Sequence, residues 1–341
     1  MKTILRRIDP QNPDPSVIGE AASAIRSGGL VAFPTETVYG LGADASNEAA
    51  VAKIFEAKGR PGDNPLIVHV SRKEDLRALA LPSNYALDLA DAFWPGPLTI
   101  VAKRKAGVAA FGCGGLGTIA VRLPSSPVAL ALIEASGAFI CAPSANSSTK
   151  PSPTCASHVM QDLDGKIEMV LDGGQASLGL ESTVVDATGP APAILRPGFI
   201  TREMIEELFG RLAKPDATGP PKAPGMKYAH YAPKARVVLV TGDTEKIAQK
   251  ILELAQGCTE KAMVLATSQN ASRYAGLGFL VAGDRSDPGA IGASLFSKLR
   301  EFDEMGAEVV FAEGIEETGV GEAVMNRLRK ASAGRIVEVG V

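Results

Sequence analysis

The chain has few of the residues that most often carry chemistry on their own: 3 histidines, 4 cysteines and 1 tryptophan. Cys113, Cys141, Cys155 and Cys258 are scattered, with no C-x-x-C pair and no histidine at zinc-finger spacing. That excludes a disulfide framework and a structural zinc site, and it fits reduced thiols and no protein metal site. No run of about 18 apolar residues occurs, and the opening MKTILRRIDPQNPD has basic residues without a signal-length apolar core. A cytoplasmic protein without a membrane partner is therefore expected. G-x-x-x-x-G-K-[ST] is absent, GLGADA lacks the third glycine of a dinucleotide fingerprint, and GVGEAV is equally weak. No G-x-S-x-G elbow surrounds Ser144 or Ser182, which argues against a serine hydrolase. A net charge of −3 gives no general attraction to nucleic acid, so any polyanion site must be a local cluster of Lys and Arg.

What is present is ordinary in bulk and specific in detail. Apolar residues make up 45% and charged residues 21%, close to soluble globular averages. The 341 residues suit two domains at roughly 100 to 200 residues each. Asp14 and Pro15 read as N-cap and N1 of a helix over SVIGEAASAIRSGG. LVAFPTETVYGLGADA reads as a buried strand broken by Pro34 and followed by a loop. A second helix, 47 to 58, stops at Gly59 before the strand PLIVHV. Later apolar runs alternate with helices at 127 to 136 and 201 to 212, which indicates an α/β or α+β sheet domain over residues 1–211. Residues 212–235 are too rich in proline and glycine for either regular period and form a linker. Its Met226, Tyr228, His230 and Tyr231 leave two readings: a segment that packs over a site, or a passive spacer. Residues 236–341 return to β/α alternation, as in a small Rossmann-like domain. That domain shows no site; VVLVTGDTEK reads as strand, turn and helix with Asp243 as cap.

The first domain repeatedly places small polar and cationic residues in strand-edge loops: Thr35, Glu36, Thr37, Tyr39, Lys58, Arg60, Asn64, Thr118, Arg122, Ser144, Asn146, Ser152, Ser182, Thr183 and Arg196. Singly, each has a structural reading. Thr37 can satisfy a turn, Ser144 can cap a helix and Arg122 can snorkel from a strand. Together, cations, hydroxyls and glycine-rich turns make a cradle for phosphate or carboxylate oxygens. His69, inside an apolar strand, is either a core histidine bonded to backbone or a ligand-facing one.

PTETVYGLGADA, KGRPGDNPLIVHV, FWPGPLTIV, VRLPSS, APSANSSTKPSPT, LESTVVD and ILRPG, in this order, resemble the threonylcarbamoyl-AMP synthase family with its YrdC-like core. APGMKYAHYAPKA followed by a further α/β domain is similar to the long, two-domain form. The resemblance implies a YrdC-like twisted open α/β sheet domain with a large concave cavity, joined through the Pro/Gly-rich linker to the Rossmann-like C-terminal domain. It implies an enzyme that joins L-threonine, bicarbonate and ATP into threonylcarbamoyl-AMP and diphosphate, for the modification of adenosine 37 in ANN-decoding tRNAs. By family analogy, Lys58 and Arg60 are catalytic. Thr37, His69, Arg122, Ala142 and Ser182 bind threonine. Arg60, Asn64, Thr118, Ser144, Ser152, Arg196 and the linker Tyr231 hold ATP, whose triphosphate brings Mg²⁺. The intermediate passes to a tRNA threonylcarbamoyl transferase machinery, and stable tRNA binding is not required. Rival readings are an RNA-binding module and a carbamoyl-transfer enzyme of the hydrogenase-maturation kind, whose zinc-finger cysteines are missing here. One departure is Thr149, where family members commonly have glycine, so this loop could bend differently.

Overall fold

A computed structural model describes residues 2–59, 65–109, 112–215, 222 and 231–340. The chain divides into two compact units. The first comprises Met1–Ser148, Ser152–Ser177 and Glu181–Lys227; the second comprises Tyr228–Val341 with the short segments Thr149–Pro151 and Leu178–Leu180. Among the described residues no helix is long and apolar enough to cross a membrane.

The first unit is built on one mixed sheet. Its strands are β1 (Ile4–Arg7), β2 (Val31–Phe33), β3 (Gly40–Asp44), β4 (Ile67–His69), β5 (Ala80–Leu81), β6 (Leu98–Arg104), β7 (Thr118–Arg122), β8 (Ile140–Cys141), β9 (Met169–Asp172), β10 (Thr183–Asp186) and β11 (Ala193–Arg196). They lie in the order β1-β9-β2-β3-β8-β4-β7-β6-β10-β11, with β5 beside β6. Helices form where the local signals place them. Asp14 caps Pro15–Arg26, accepting from the Ser16 amide at 2.8 Å, and Asn47 caps Glu48–Lys58, which Gly59 ends in the left-handed region at φ 61°. Helices Pro15–Arg26 and Pro127–Ser136 pack together over one face, burying Ile18, Ala22, Ile25, Val128, Leu132 and Ile133 with Val31, Phe33 and Met169. A larger core, with Leu41, Ile54, Val68, Leu89, Ile100, Val121 and Val185, forms a separate cluster.

Two expectations need correction. GLGAD is not a loop but β3, antiparallel to β2. Glycine is required there by packing: a Cβ at Gly42 would stand 2.8 Å from both Ile140 Cγ2 and Phe33 Cε1. Helices Asp75–Leu79, Asn84–Phe93 and Ala156–Leu163 also lie where only connecting chain was read. They are short and owe their formation to burial of Leu76, Leu89 and Val159 rather than to a long apolar period.

The second unit carries five strands, β12 (Arg236–Gly242), β13 (Ala262–Thr267), β14 (Gly278–Gly283), β15 (Val309–Glu313) and β16 (Ile336–Val339). All pair in parallel, in the order β14-β13-β15-β12-β16. Helix Thr244–Gln256, capped by Asp243 as read from the sequence, packs on β12, β13 and β15, and Pro288–Glu304 packs on β14 and on Val320–Ala331.

Candidate active site

The register of the first sheet brings distant residues into one line. Arg196 pairs with Val184, Val184 with Thr99, Thr99 with Arg122, Arg122 with His69 and His69 with Ile140. Residues opposite one another across strands point to the same face, so Arg196, Thr99, Arg122 and His69 form a polar row crossing five strands. Two residues along each strand, Ile67, Ala120 and Val101 occupy the same face and with Val184 form an apolar cluster apart from the two larger cores. The row sits at one edge of the sheet, since His69, Arg122 and Arg196 end their strands.

Arg122, only 4% exposed, is held from three sides. Its Nη1 donates to Thr37 Oγ1 at 2.8 Å, Nη2 donates to Glu36 Oε1 at 2.6 Å, and Nε donates to the Gly96 carbonyl at 3.4 Å. Thr35 fixes the turn by bonding Thr37 Oγ1 at 2.8 Å and donating to the Val38 carbonyl at 2.6 Å. Glu36 Oε2 is buried without a hydrogen-bond partner among the described residues. A buried carboxylate oxygen left unsatisfied beside a guanidinium is costly, and a ligand donor would satisfy it. His69 Nδ1 faces the Ile67 carbonyl at 3.2 Å, and the ring meets Phe33 edge-on. Burial, together with the positive charge of Arg122, pushes its pKa down to about 3. The ring is therefore neutral at physiological pH. The backbone-bonded reading of this histidine holds, and the ring also stands in the polar row. Ala142 closes this group, donating its amide to the Ile67 carbonyl at 2.9 Å.

A second group adjoins the first. Ser182 Oγ bonds Thr99 Oγ1 at 2.7 Å and accepts from Arg196 Nη2 at 3.2 Å, while Arg196 Nε donates to the Ser182 carbonyl at 3.0 Å. Ser152 Oγ donates to Glu181, the neighbour of Ser182. In a third group, buried Lys58 donates through Nζ to the carbonyls of Ser144 and Asn146, the latter at 2.6 Å, and Ser144 Oγ donates to Asn146 Oδ1 at 2.6 Å. The bridge between Gly40 and Ser144 ties this loop to β3. Thr118 shares the face of Arg122 but stands at the far end of β7. Tyr231 is placed with the second unit, where its ring is 4% exposed, stacks on Phe296 with centroids 5.1 Å apart, and lies under the cations of Arg327 and Lys330. Arg60 and Asn64 lie outside the described residues, as do Met226, Tyr228 and His230.

Comparison with known proteins gives this arrangement a family. A family model described as "Telomere recombination" matches residues 23–198, and one described as "Threonylcarbamoyl-AMP synthase, C-terminal domain" matches residues 200–333. The chain is 50% identical over 326 residues to the threonylcarbamoyl-AMP synthase of Pyrococcus abyssi, spanning 94% of this chain and 95% of that protein. The chain belongs to the threonylcarbamoyl-AMP synthase family. The threonylcarbamoyl-AMP synthase of Bacillus subtilis is 46% identical over 335 residues, 96% of this chain and 95% of its own. The crystal structure of P. abyssi Sua5 complexed with L-threonine matches with a TM-score of 0.91 at 46% identity, over 99% of this chain and 100% of that one.

Within this family member, the structure adds Thr99 and Glu181 to the residues singled out in the sequence, and it pairs Glu36 with Arg122 and Asn146 with Lys58. Glu36 and Asn146 already stood among the strand-edge polar residues, but nothing in the pattern told which would be buried and paired. Thr99 and Glu181 gave no signal, because one lies inside an apolar strand and the other resembles any loop acid. Thr149 has a φ of 75°, the left-handed conformation that favours glycine, adopted here by threonine.

Proposed function

We propose that this enzyme forms threonylcarbamoyl-AMP and diphosphate from L-threonine, bicarbonate and ATP, as a nucleotidyltransferase serving the modification of adenosine 37 in tRNA. The observation that carries the reading is the identity to threonylcarbamoyl-AMP synthases along nearly the whole chain. The geometry supplies a physical rationale. A zwitterionic amino acid fits the Arg122–Glu36 pair, with its carboxylate on the guanidinium and its amine near the unsatisfied Glu36 oxygen. Thr37, His69, Ala142 and Ser182 then surround the amino acid. A neutral His69 adds no charge that would compete with Arg122 for the carboxylate.

The deprotonated amine adds to CO₂ with release of a proton, or to bicarbonate with release of water, to give a carbamate, whose oxygen attacks the α-phosphorus of ATP and displaces diphosphate. Anion meets anion in that step, so positioning and neutralisation of charge dominate and no covalent nucleophile is needed. This reading assigns Lys58 and Arg60 to the phosphates, and Asn64, Thr118, Ser144, Ser152 and Arg196 to the rest of the nucleotide. Mg²⁺ travels on the triphosphate, whose oxygens it commonly takes together with water. For Lys58, reaching a phosphate means exchanging carbonyl partners for phosphate oxygens, a gain in charge complementarity. The product is an activated mixed anhydride, to be consumed by a transferase acting on tRNA.

The test incubates the protein with labelled bicarbonate, ATP and single amino acids and identifies the adenylate by mass. Threonine-dependent threonylcarbamoyl-AMP with matching diphosphate is expected. Label incorporation that ignores the amino acid would overturn the assignment.

A further inference from the structure

The second unit contains a crevice of about 600 Å³ at the carboxyl ends of its parallel strands. It is lined by Gly242 at the end of β12, Asp243 and Thr244 just after it, Gln269 after β13, Arg285 after β14, and Ile315 with Glu316 after β15. The chain leaves β12 and β13 toward one edge of the sheet and β14 and β15 toward the other. Right-handed connections then place the following helices on opposite faces, and a gap opens between the diverging loops. Such a switch point is where open parallel sheets bind ligands.

Beneath the crevice lies a polar network that stability does not explain. Glu313, the last residue of β15, has a fully buried side chain. It accepts from Thr267 Oγ1 at 2.6 Å, Tyr274 OH at 2.7 Å, Arg285 Nη2 at 2.9 Å and Asn270 Nδ2 at 3.3 Å. Arg285 Nε donates to Thr267 Oγ1 at 3.1 Å. A buried ion pair of this kind is no more stabilising than packed apolar residues, so its use is to hold a charged group in a set orientation. The group held is the Arg285 guanidinium, whose Nη1 has no hydrogen bond among the described residues and which lines the crevice. Glu313 balances its charge, while Asp243 and Glu316 make the rim acidic. An acidic rim disfavours di- and triphosphates but suits a ligand with an ammonium group beside its single oxyanion.

We propose that this crevice binds a small zwitterion of the amino-acid class, with its carboxylate on Arg285 and its ammonium toward Glu316. The site belongs to the second unit alone and is separate from the threonine subsite of the first.

The test uses the full chain with ¹³C-labelled isoleucine methyl groups, because Ile315 lines the crevice and its signal is assigned by loss in Ile315→Val. L-threonine and glycine are titrated, with acetate and methylamine as the isolated halves of the ligand. A saturable shift of the Ile315 methyl is expected with the amino acids, and acetate should bind more weakly. Arg285→Lys keeps a charge beside Glu313 but loses the second amino group, and should weaken binding about tenfold. Glu316→Gln should weaken the amino acids a few-fold, as for an exposed ion pair, and leave acetate unchanged. Ser286→Trp, at the rim and outside the network, should abolish the shift by filling the crevice. No saturable shift of Ile315 with either amino acid, an unaltered shift in Ser286→Trp, or acetate binding as tightly as glycine would each overturn the proposal. The readout is independent of turnover, so its failure leaves the catalytic reading of the first unit standing.

Discussion

Replacing Arg122 by alanine separates binding from folding at the centre of the polar row. The residue is 4% exposed, and its side chain makes three hydrogen bonds, one of them charged on both sides. Its loss leaves the Glu36 carboxylate, itself only 11% exposed, without its cation. Leaving one partner of a buried pair alone costs about 3 to 5 kcal/mol. The same change removes the group proposed to meet the threonine carboxylate. A hydrogen bond to a charged group contributes about 1.5 to 3 kcal/mol, and each 1.4 kcal/mol is tenfold, so the KM for threonine should rise about ten- to a hundredfold. The KM for ATP should move much less. Diphosphate release measured with each substrate varied in turn gives both constants, and urea denaturation gives the stability. Adding Glu36→Gln to Arg122→Ala removes the stranded charge, and should recover part of the lost stability without recovering threonine affinity. Equal rises in both KM values would refute the carboxylate role, as would recovery of threonine affinity in the double variant.

Other perturbations probe the remaining groups. Lys58→Ala, tested by diphosphate release at saturating substrates, should lower turnover at least tenfold, and unchanged turnover would remove Lys58 from the phosphate contacts. The folded pKa of His69, about 3, lies below its ordinary 6.5. Below pH 6.5 the unfolded chain therefore binds a proton that the native state refuses, and stability falls toward pH 3 by up to about 1.4 kcal/mol per pH unit from this group. Denaturation midpoints between pH 7 and 4.5 should be flatter in His69→Gln, and identical slopes would contradict a buried neutral ring. Thr149→Gly relieves a left-handed threonine, about 1 to 2 kcal/mol, against about 0.5 to 1 kcal/mol of added backbone entropy in the unfolded chain. A net gain of about 0.5 kcal/mol is expected in chemical denaturation, and a loss would show that the side chain contributes contacts of its own.

Local chemistry in the sequence already determined much of the secondary structure. Asp14, Asn47 and Asp243 start helices because their side chains bond amides that no helical carbonyl reaches, and Gly59 stops one because it enters the left-handed region without strain. The ordered motifs also marked the family. What the sequence could not determine is which residues stand opposite one another. His69, Thr99, Arg122 and Arg196 are scattered over more than a hundred positions, and only strand order and register bring them into one row. Glycine-rich GLGAD looked like a loop because its need for glycine arises from Phe33 and Ile140, contacts made across the sheet. Glu313 looks like any surface acid in the sequence, and Glu36 stood there only as one of many strand-edge polar residues; burial, a property of the folded chain alone, makes Glu36 a partner for Arg122 and Glu313 the anchor of Arg285.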